Sequence, residues 1–299
     1  MVAGKGAAPF AVVHMDTIGT RLQVRPVEAE DYQQLVNFIH FESYVHRHLD
    51  WLAPLDWMNY PPFWVATYGH RLVGVFSCPI DPPCIAWIRL FGVDSEWDIQ
   101  QVWKSLWGVV QNDLLKIPGL IVAALPLHGW FIKLLESSGF QKETEVVFLT
   151  WQKGNKKLPD VNSPSVIRPM IPDDLENVVE VDYSAFGPLW ANSLPMLTAA
   201  YRQSAVASVA EDRDGKIIGY QISTSGYLGG HLARLAVLPC EQGKKIGAAL
   251  TVDMLKQFSN LDINRISVNT QKNNSASLKL YTHLGFQFTG EAYPVLKFD

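Results

Sequence analysis

The sequence predicts an α/β fold with a mixed sheet, α+β in character, laid down twice in one chain of 299 residues. Three observations carry that expectation. Landmark residues recur at a nearly constant spacing, strand-like and helix-like stretches alternate in both halves, and a polar stretch with glycine and two prolines stands between them. Arg25-Pro26 aligns with Arg168-Pro169 at an offset of 143, Gly74 with Gly219 at 145, Val93 with Val237 at 144, and Gly139-Phe140 with Gly285-Phe286 at 146. Unrelated halves would scatter these offsets, so a tandem duplication is the simplest account. The length suits two domains of about 150 residues each, and 48% hydrophobic with 18% charged residues describes packed globular domains.

Residues 1–20 contain one short apolar run, 7–13, after Lys5. A signal peptide needs a longer apolar core and a small-residue cleavage site, so this segment reads as a flexible tail. The first copy is placed at 21–151. Its opening, LQVRPVEAEDYQQLVNF at 22–38, gives a short strand, Pro26 and an acidic start to an amphipathic helix. The opening of the second copy, VIRPMIPDDLENVVEV at 166–181, follows the same plan. Each copy continues as helices, a hairpin, a long central strand, a helix, a strand, a helix and closing strands. Much of the tryptophan lies in the first copy, as core packing with an inter-domain contact or as an aromatic pocket. Its insert HRHLDWLAPLDWMNYPPF at 46–63 reads as a loop lying over the partner domain.

QKGNKKLPDVNSP at 152–164 reads as an exposed linker. In the second copy, 165–299, the spacing predicts a strand at 165–168, two helices within 172–203, a hairpin at 206–224 and a central strand at 230–238. A helix at 247–259, a strand at 264–269, a helix at 274–284 and closing strands at 286–298 follow.

The most informative stretch is HLARLAVLPCEQGKKIGAAL at 231–250: a strand, a loop of glycine and lysine, then an apolar helix. Free N–H groups at a helix start, the positive end of its dipole and two lysines form a receptacle for a pyrophosphate. A Cβ at Gly243 or Gly247 could hold the phosphates off the backbone.

Gln242-Gly243-Lys244-Lys245-Ile246-Gly247 is similar to the Q/R-x-x-G-x-G/A signature of the GNAT superfamily, the acyl-CoA-dependent N-acyltransferases. Lys245 departs from it, standing where that family has its first glycine. The loop then holds phosphates more loosely, or lysine charge replaces a backbone contact. NTQKNNSASLKLYTHLGF at 269–286 resembles the family's second CoA-contacting segment, with Asn274 seven residues before Tyr281 and Gly285-Phe286 closing the helix.

The resemblance implies two GNAT-like domains in tandem and acetyl-CoA as co-substrate, with no metal. It assigns acyl-CoA binding to main-chain atoms of Leu235, Ala236 and Val237 on a strand that splays from its neighbour. It adds the loop residues Gln242, Gly243, Lys244, Lys245, Ile246, Gly247 and Ala248, together with Asn274, Ser277 and Tyr281. Tyr281 is the candidate acid for the leaving thiolate, since a phenol near 10 and a thiol near 8.5 lie close enough for proton transfer. Its alternative is packing within its helix. His231 is the candidate base, directly or through water, because imidazole titrates in the useful range; it can equally be a polar residue at the sheet margin. Arg234 is expected to face away from His231 by strand alternation, as a surface or inter-domain charge. Phe186, Trp190 and Tyr293 are candidates for the acceptor site or for the core, and Glu291 could bind an amine.

The first copy should not bind CoA in that manner. Opposite the loop it has DSEWDIQQVWK at 94–104, without glycine and with three carboxylates, and opposite Tyr281 it has Leu135. It reads as a degenerate copy kept for structure or for shaping the substrate site.

A net charge of −4 argues against nonspecific nucleic-acid binding. Residues 1–150 carry 10 Lys+Arg against 15 Asp+Glu, and residues 151–299 carry 15 against 14, so the half with the phosphate loop lacks the acidic excess. Cys78, Cys84 and Cys240 match no zinc spacing and suit a reducing, cytoplasmic setting. No stretch approaches the roughly 18 apolar residues of a membrane span. The expected activity is transfer of an acetyl or short acyl group to a primary amine of a small molecule or peptide, by direct attack in a ternary complex. A monomer and a homodimer both remain open. The rival readings are a non-catalytic acyl-CoA-binding or regulatory module, and nucleotide binding. G-x-x-x-x-G-K-[ST] and G-x-G-x-x-G are both missing, which weakens the latter.

Overall fold

The computed structural model describes residues 13–14, 22–154 and 157–299. Most of the tail expected at 1–20 lies outside the described residues. Within it, β1 (Val13–His14) pairs antiparallel with β2 (Gln23–Pro26). The chain divides into two compact units, one formed by residues up to 80, 84–139 and 298–299, the other by 81–83 and 140–297.

The first unit continues with α1 (Tyr32–Phe41), β3 (Tyr44–Arg47), β4 (Phe63–Tyr68), β5 (Arg71–Ser77), β6 (Ile85–Trp87), β7 (Leu90–Val93), α2 (Ile99–Leu114), β8 (Ile121–Ala124) and α3 (Gly129–Ser137). Its antiparallel order is β1-β2-β4-β5-β7-β3, while β6 runs parallel to β8. The central strand expected here is thus broken at Ile88-Arg89 into two pieces with different partners. α2 buries Val102, Trp103, Leu106, Trp107 and Val110, the three-four spacing of one helix face. Trp103 stacks on Trp107 at 5.5 Å, and Phe91 on Phe131 at 5.6 Å. These tryptophans form a core. The insert at 46–63 packs within the same unit: Trp57 is buried, its Nε1 donates to Asp50 at 3.0 Å, and Asp50 pairs with Arg89.

The second unit contains β9 (Gln141–Gln152), β10 (Val166–Pro169), α4 (Leu175–Phe186), α5 (Leu194–Arg202), β11 (Val206–Glu211), β12 (Ile217–Gly226), β13 (Gly229–Val237), α6 (Ile246–Asn260), β14 (Arg265–Gln271), α7 (Ser275–Leu284) and β15 (Gln287–Phe298). The elements expected after residue 165 are present within a few residues, except that the closing strands expected at 286–298 are one strand, β15. The sheet order is β10-β11-β12-β13-β14-β9-β15, antiparallel except for β13 beside β14. Strand β9 is the closing strand of the first copy by the repeat register, yet it lies between β14 and β15 of the second. Its Val147, Leu149 and Trp151 share a core with Phe258, Ile266, Val268, Leu284 and Phe286. The segment expected as an exposed linker is pinned where Leu158 and Val161 pack against that core.

The duplication is also visible in side chains. Arg25 grips Asp31 through two bonds of 2.7 Å, and Arg168 grips Asp174 at 2.7 and 2.8 Å, 143 residues later. In both copies the aspartate also accepts a backbone N–H at 2.8 Å, from Glu28 and from Ile171. Arg89 lies over Trp57 and pairs with Asp50, whereas Arg234, 145 residues on, lies over Phe186 and pairs with Asp182.

Candidate active site

The site in the second unit begins where two strands part. β13 pairs with β14 only through Gly230–Leu232 and Ile266–Val268, while its far end stays paired with β12 as far as Val237. Beyond Leu232, β13 therefore has one sheet neighbour, and Leu235, Ala236 and Val237 line the opening. The cleft has a volume of about 510 Å³, within the range of small-molecule sites. Its remaining walls are residues 241–243 and 245–248 of the loop and first turn, without Lys244, the α7 end at Asn274, Ala276, Ser277 and Leu280, and Ala185-Phe186 at the end of α4.

The loop fits an anion by local geometry. Gly243 has φ +81° and Lys245 has φ +64°, both left-handed. Lys245 thus occupies, with a Cβ, a conformation suited to glycine, at an intrinsic cost of about 1–2 kcal/mol. Lys245 is also the N-cap of α6, and no side chain caps that helix. The first ladder bond runs from Ala249 N to Lys245 O at 2.9 Å, so the amides of Ile246, Gly247 and Ala248 precede the ladder. The first copy contrasts. Asp98 caps α2 by accepting from Gln101 N at 2.8 Å, and buried Asp94 pairs with Arg71 at 2.6 Å. A helix start closed by its own carboxylate has no place for a phosphate; the start of α6 is not closed in this way.

Around the loop, Gln242 Nε2 donates to Val237 O at 3.1 Å and Lys244 pairs with Glu241 at 2.9 Å. An added Cβ at Gly247 would meet Leu280 at 3.4 Å and Val237 at 3.8 Å, ordinary contacts, so it is a larger side chain that would have to enter the cleft. Asn274 caps α7 by accepting from Ser277 N at 3.0 Å.

Tyr281 lies in the α6–α7 core, 4% exposed, with its ring 5.5 Å from that of Phe286. Burial pushes its phenol above the usual 10, and its hydroxyl is hydrogen-bonded to Ser277, a cleft residue. His231 Nδ1 is 2.9 Å from Ser267 Oγ. Burial lowers its pKa below the ordinary 6.5, opposed by a bond to Asn269. It lies in the paired part of β13, below the split. Tyr293 pairs in register with Val146 and sets its ring edge-on to Phe148 at 5.7 Å. Phe186 lines the cleft; Trp190 contributes its carbonyl to Arg234, while Glu291 is exposed on β15.

One expectation is corrected. Arg234 is neither a surface nor an inter-domain charge: its side chain is mostly buried and its guanidinium meets Asp182 at 2.7 and 2.9 Å. The cause is a register shift, since Ile222 pairs with Arg234 and Ser223 with Leu232, leaving Ala233 as an extra residue. Alternation breaks there. Leu232 and Leu235 both pack against the α6–α7 core, and Arg234 turns to α4. Asp182 also accepts from Tyr220 OH and from Asn192 N at 2.7 Å. The sequence held a signal for Asp182, a carboxylate four residues after Val178 and seven after Leu175 on the apolar stripe of α4.

Comparison with known proteins agrees with this geometry. Residues 185–295 match the sequence profile of a family described as "Acetyltransferase (GNAT) domain". No curated protein matches the chain in sequence. A GCN5-related N-acetyltransferase from Sphaerobacter thermophilus is similar in structure, with TM-score 0.57, 14% identity, and 81% of this chain and 83% of that one covered. A tandem GNAT protein from the clavulanic acid biosynthesis pathway gives 0.61 at 14% identity, covering 93% of this chain and 98% of that one. A GCN5-related N-acetyltransferase from Anabaena variabilis gives 0.65 at 13%, covering 93% and 72%. Residues 185–295 thus match a GNAT acetyltransferase domain, and the fold of the chain is the GNAT fold in tandem. Among the described residues, no helix is long and apolar enough to cross a membrane.

Proposed function

We propose that the chain is an N-acetyltransferase whose second copy carries acetyl or a short acyl group from acyl-CoA to a primary amine of a small molecule or peptide. The first copy has a structural or substrate-shaping role. The observation that carries this reading is the open start of α6 at the mouth of a split between β13 and β14, beside the self-capped start of α2 in the first copy. The amides of Ile246, Gly247 and Ala248, with Lys244 and Lys245, would hold the pyrophosphate, and main-chain atoms of Leu235–Val237 would align the thioester. Three free cysteines suit a reducing, cytoplasmic setting.

In this reading the amine nitrogen attacks the thioester carbon, the C–S bond breaks, and Tyr281 gives its proton to the leaving sulfur. A phenol held above its usual range stays protonated until that moment, and its bond to Ser277 connects it to the cleft. His231, kept neutral by burial, accepts the proton lost by the amine through water. Thiol release from acetyl-CoA across a panel of primary amines and N-terminal peptides tests the activity. Tyr281→Phe keeps the ring in the core and is expected to lower kcat about 10²-fold or more with acetyl-CoA affinity retained. Binding without turnover by the unaltered chain across that panel would instead establish an acyl-CoA-binding module.

Lys245→Gly separates strain from charge. Relief of the left-handed lysine and the added freedom of glycine in the unfolded chain offset each other, so stability should move by no more than about 1 kcal/mol. Affinity for CoA should fall severalfold at low salt, and the difference should vanish near 1 M salt, where the screening length is about 3 Å. A loss of affinity independent of salt would mean that the lysine acts through loop shape.

A further inference from the structure

Phe186 occupies an unusual position among the cleft residues. One face of its ring rests on the Arg234 guanidinium, 3.7 Å from the ring centroid, and the side chain lines the cleft. The guanidinium is fixed from several directions: by both Asp182 oxygens at 2.7 and 2.9 Å and by the Trp190 carbonyl at 2.5 Å. Asp182 is itself held by Tyr220 OH and Asn192 N. The ring is thereby pinned on a buried platform, and a pinned wall discriminates by size where a mobile one would yield.

Its place along the cleft follows from the strand. Val237 is joined to Gln242 of the phosphate loop, whereas Phe186 sits over Arg234, three residues back. At about 3.3 Å per residue the backbone of Arg234 lies about 10 Å from the loop end of β13, toward the point where the strands rejoin at Leu232 and Val268, and its guanidinium holds Phe186 from there. A ring with a cation already against one face is a poor partner for a second cation at the other. Phe186 therefore suits a neutral group, an acyl chain and not an ammonium ion.

Resting on the acyltransferase reading above, we infer that Phe186, held in place by Arg234, is the end wall of the acyl pocket and restricts the donor to acyl groups close to acetyl in length. Phe186 is the specificity-determining residue and Arg234 a positioning residue acting through it. Ala185, its neighbour on the wall, is too small to take over that role.

The test is calorimetric binding to the full chain of CoA, acetyl-CoA and butanoyl-CoA, for the unaltered protein and for Phe186→Ala, Phe186→Leu and Arg234→Lys. Phe186 is only half-buried, so its truncation leaves the core intact, and the leucine variant gives an intermediate volume. The unaltered chain should bind acetyl-CoA about tenfold or more tightly than butanoyl-CoA, the discrimination that a methylene or two provides in a fixed apolar pocket. Phe186→Ala should remove or invert that ratio, and Phe186→Leu should fall between. Free CoA should bind all three within about twofold, as for substitutions remote from a contact. Arg234→Lys keeps the charge but loses the planar fork, so the acetyl-to-butanoyl ratio should drop while CoA affinity holds. A merely structural role would weaken all three ligands together. Unchanged CoA binding with the same ratio in the unaltered chain and Phe186→Ala overturns this inference alone. No binding of CoA or either thioester by the unaltered chain overturns the acyltransferase reading with it.

Discussion

Replacing Asp182 by alanine is expected to cost about 3–5 kcal/mol, the penalty for leaving a buried charge without its partner. Asp182 is fully buried and serves Arg234, Tyr220 and Asn192 at once, so one deletion strands a guanidinium, a phenol and a backbone N–H. The phenol of Tyr220 is held well above its usual range, first by burial and then by the Asp182 charge, so it stays protonated and donates to Asp182. For domains of this size the melting temperature should fall by roughly 10 °C. The exposed pair Arg71–Glu96 provides the contrast: Glu96→Ala should cost no more than about 1 kcal/mol, because water screens it. Combining Asp182→Leu with Arg234→Met removes both charges and should recover much of the loss. Equal costs for Asp182→Ala and Glu96→Ala in thermal unfolding would contradict the buried network.

A chain that starts at Ser165 is expected not to fold cooperatively, while one that starts at Phe140 should regain a cooperative transition. The difference is β9. Residues 146–152 pair with Arg265–Gln271 of β14, and the opposite edge of β9 pairs with β15. Without it two strands present open edges, and the core loses Val147, Leu149 and Trp151. At about 1.5–3 kcal/mol per large buried side chain, those three contribute about 5–9 kcal/mol. That is comparable with the whole stability of a domain, about 5–15 kcal/mol. Near-UV circular dichroism during urea titration distinguishes the two chains. A sharp transition in the shorter chain, at the same urea concentration as in the longer, would show that β9 is dispensable.

These two results mark what the sequence could and could not disclose. The helices and strands after residue 165 were legible because their periodicity is strong and their ends carry signals: Ser193 and Asn274 at caps, Gly285 in a left-handed C-cap. The turn from β13 into α6 was legible because a glycine and two lysines stand between an apolar strand and an apolar helix. Strand alternation shows that β9 is partly buried but says nothing about which strands flank it, so the repeat register assigned it to its own copy. Arg234 was misplaced because one extra residue at Ala233 reverses every later side chain, and a bulge leaves no mark in an apolar strand. The insert at 46–63 looked like a loop in search of a partner, since nothing in its sequence announces that Asp50 pairs with Arg89. Burial of Tyr281 beyond the cleft wall, reached through Ser277, likewise depends on how α7 is rotated, which its residue pattern alone does not fix.

The central claim is that the open start of α6 is the acyl-CoA site, and thermal unfolding with and without acetyl-CoA tests it most directly. The comparison is between the intact chain and Gly247→Trp, whose indole must occupy the cleft beside Leu280 and Val237. Ligand at about one hundred times its dissociation constant adds roughly 2.7 kcal/mol, a shift of several degrees. The account predicts that the intact chain shifts and the variant, folded and melting cooperatively, does not. Equal shifts in both, or none in the intact chain, would contradict it.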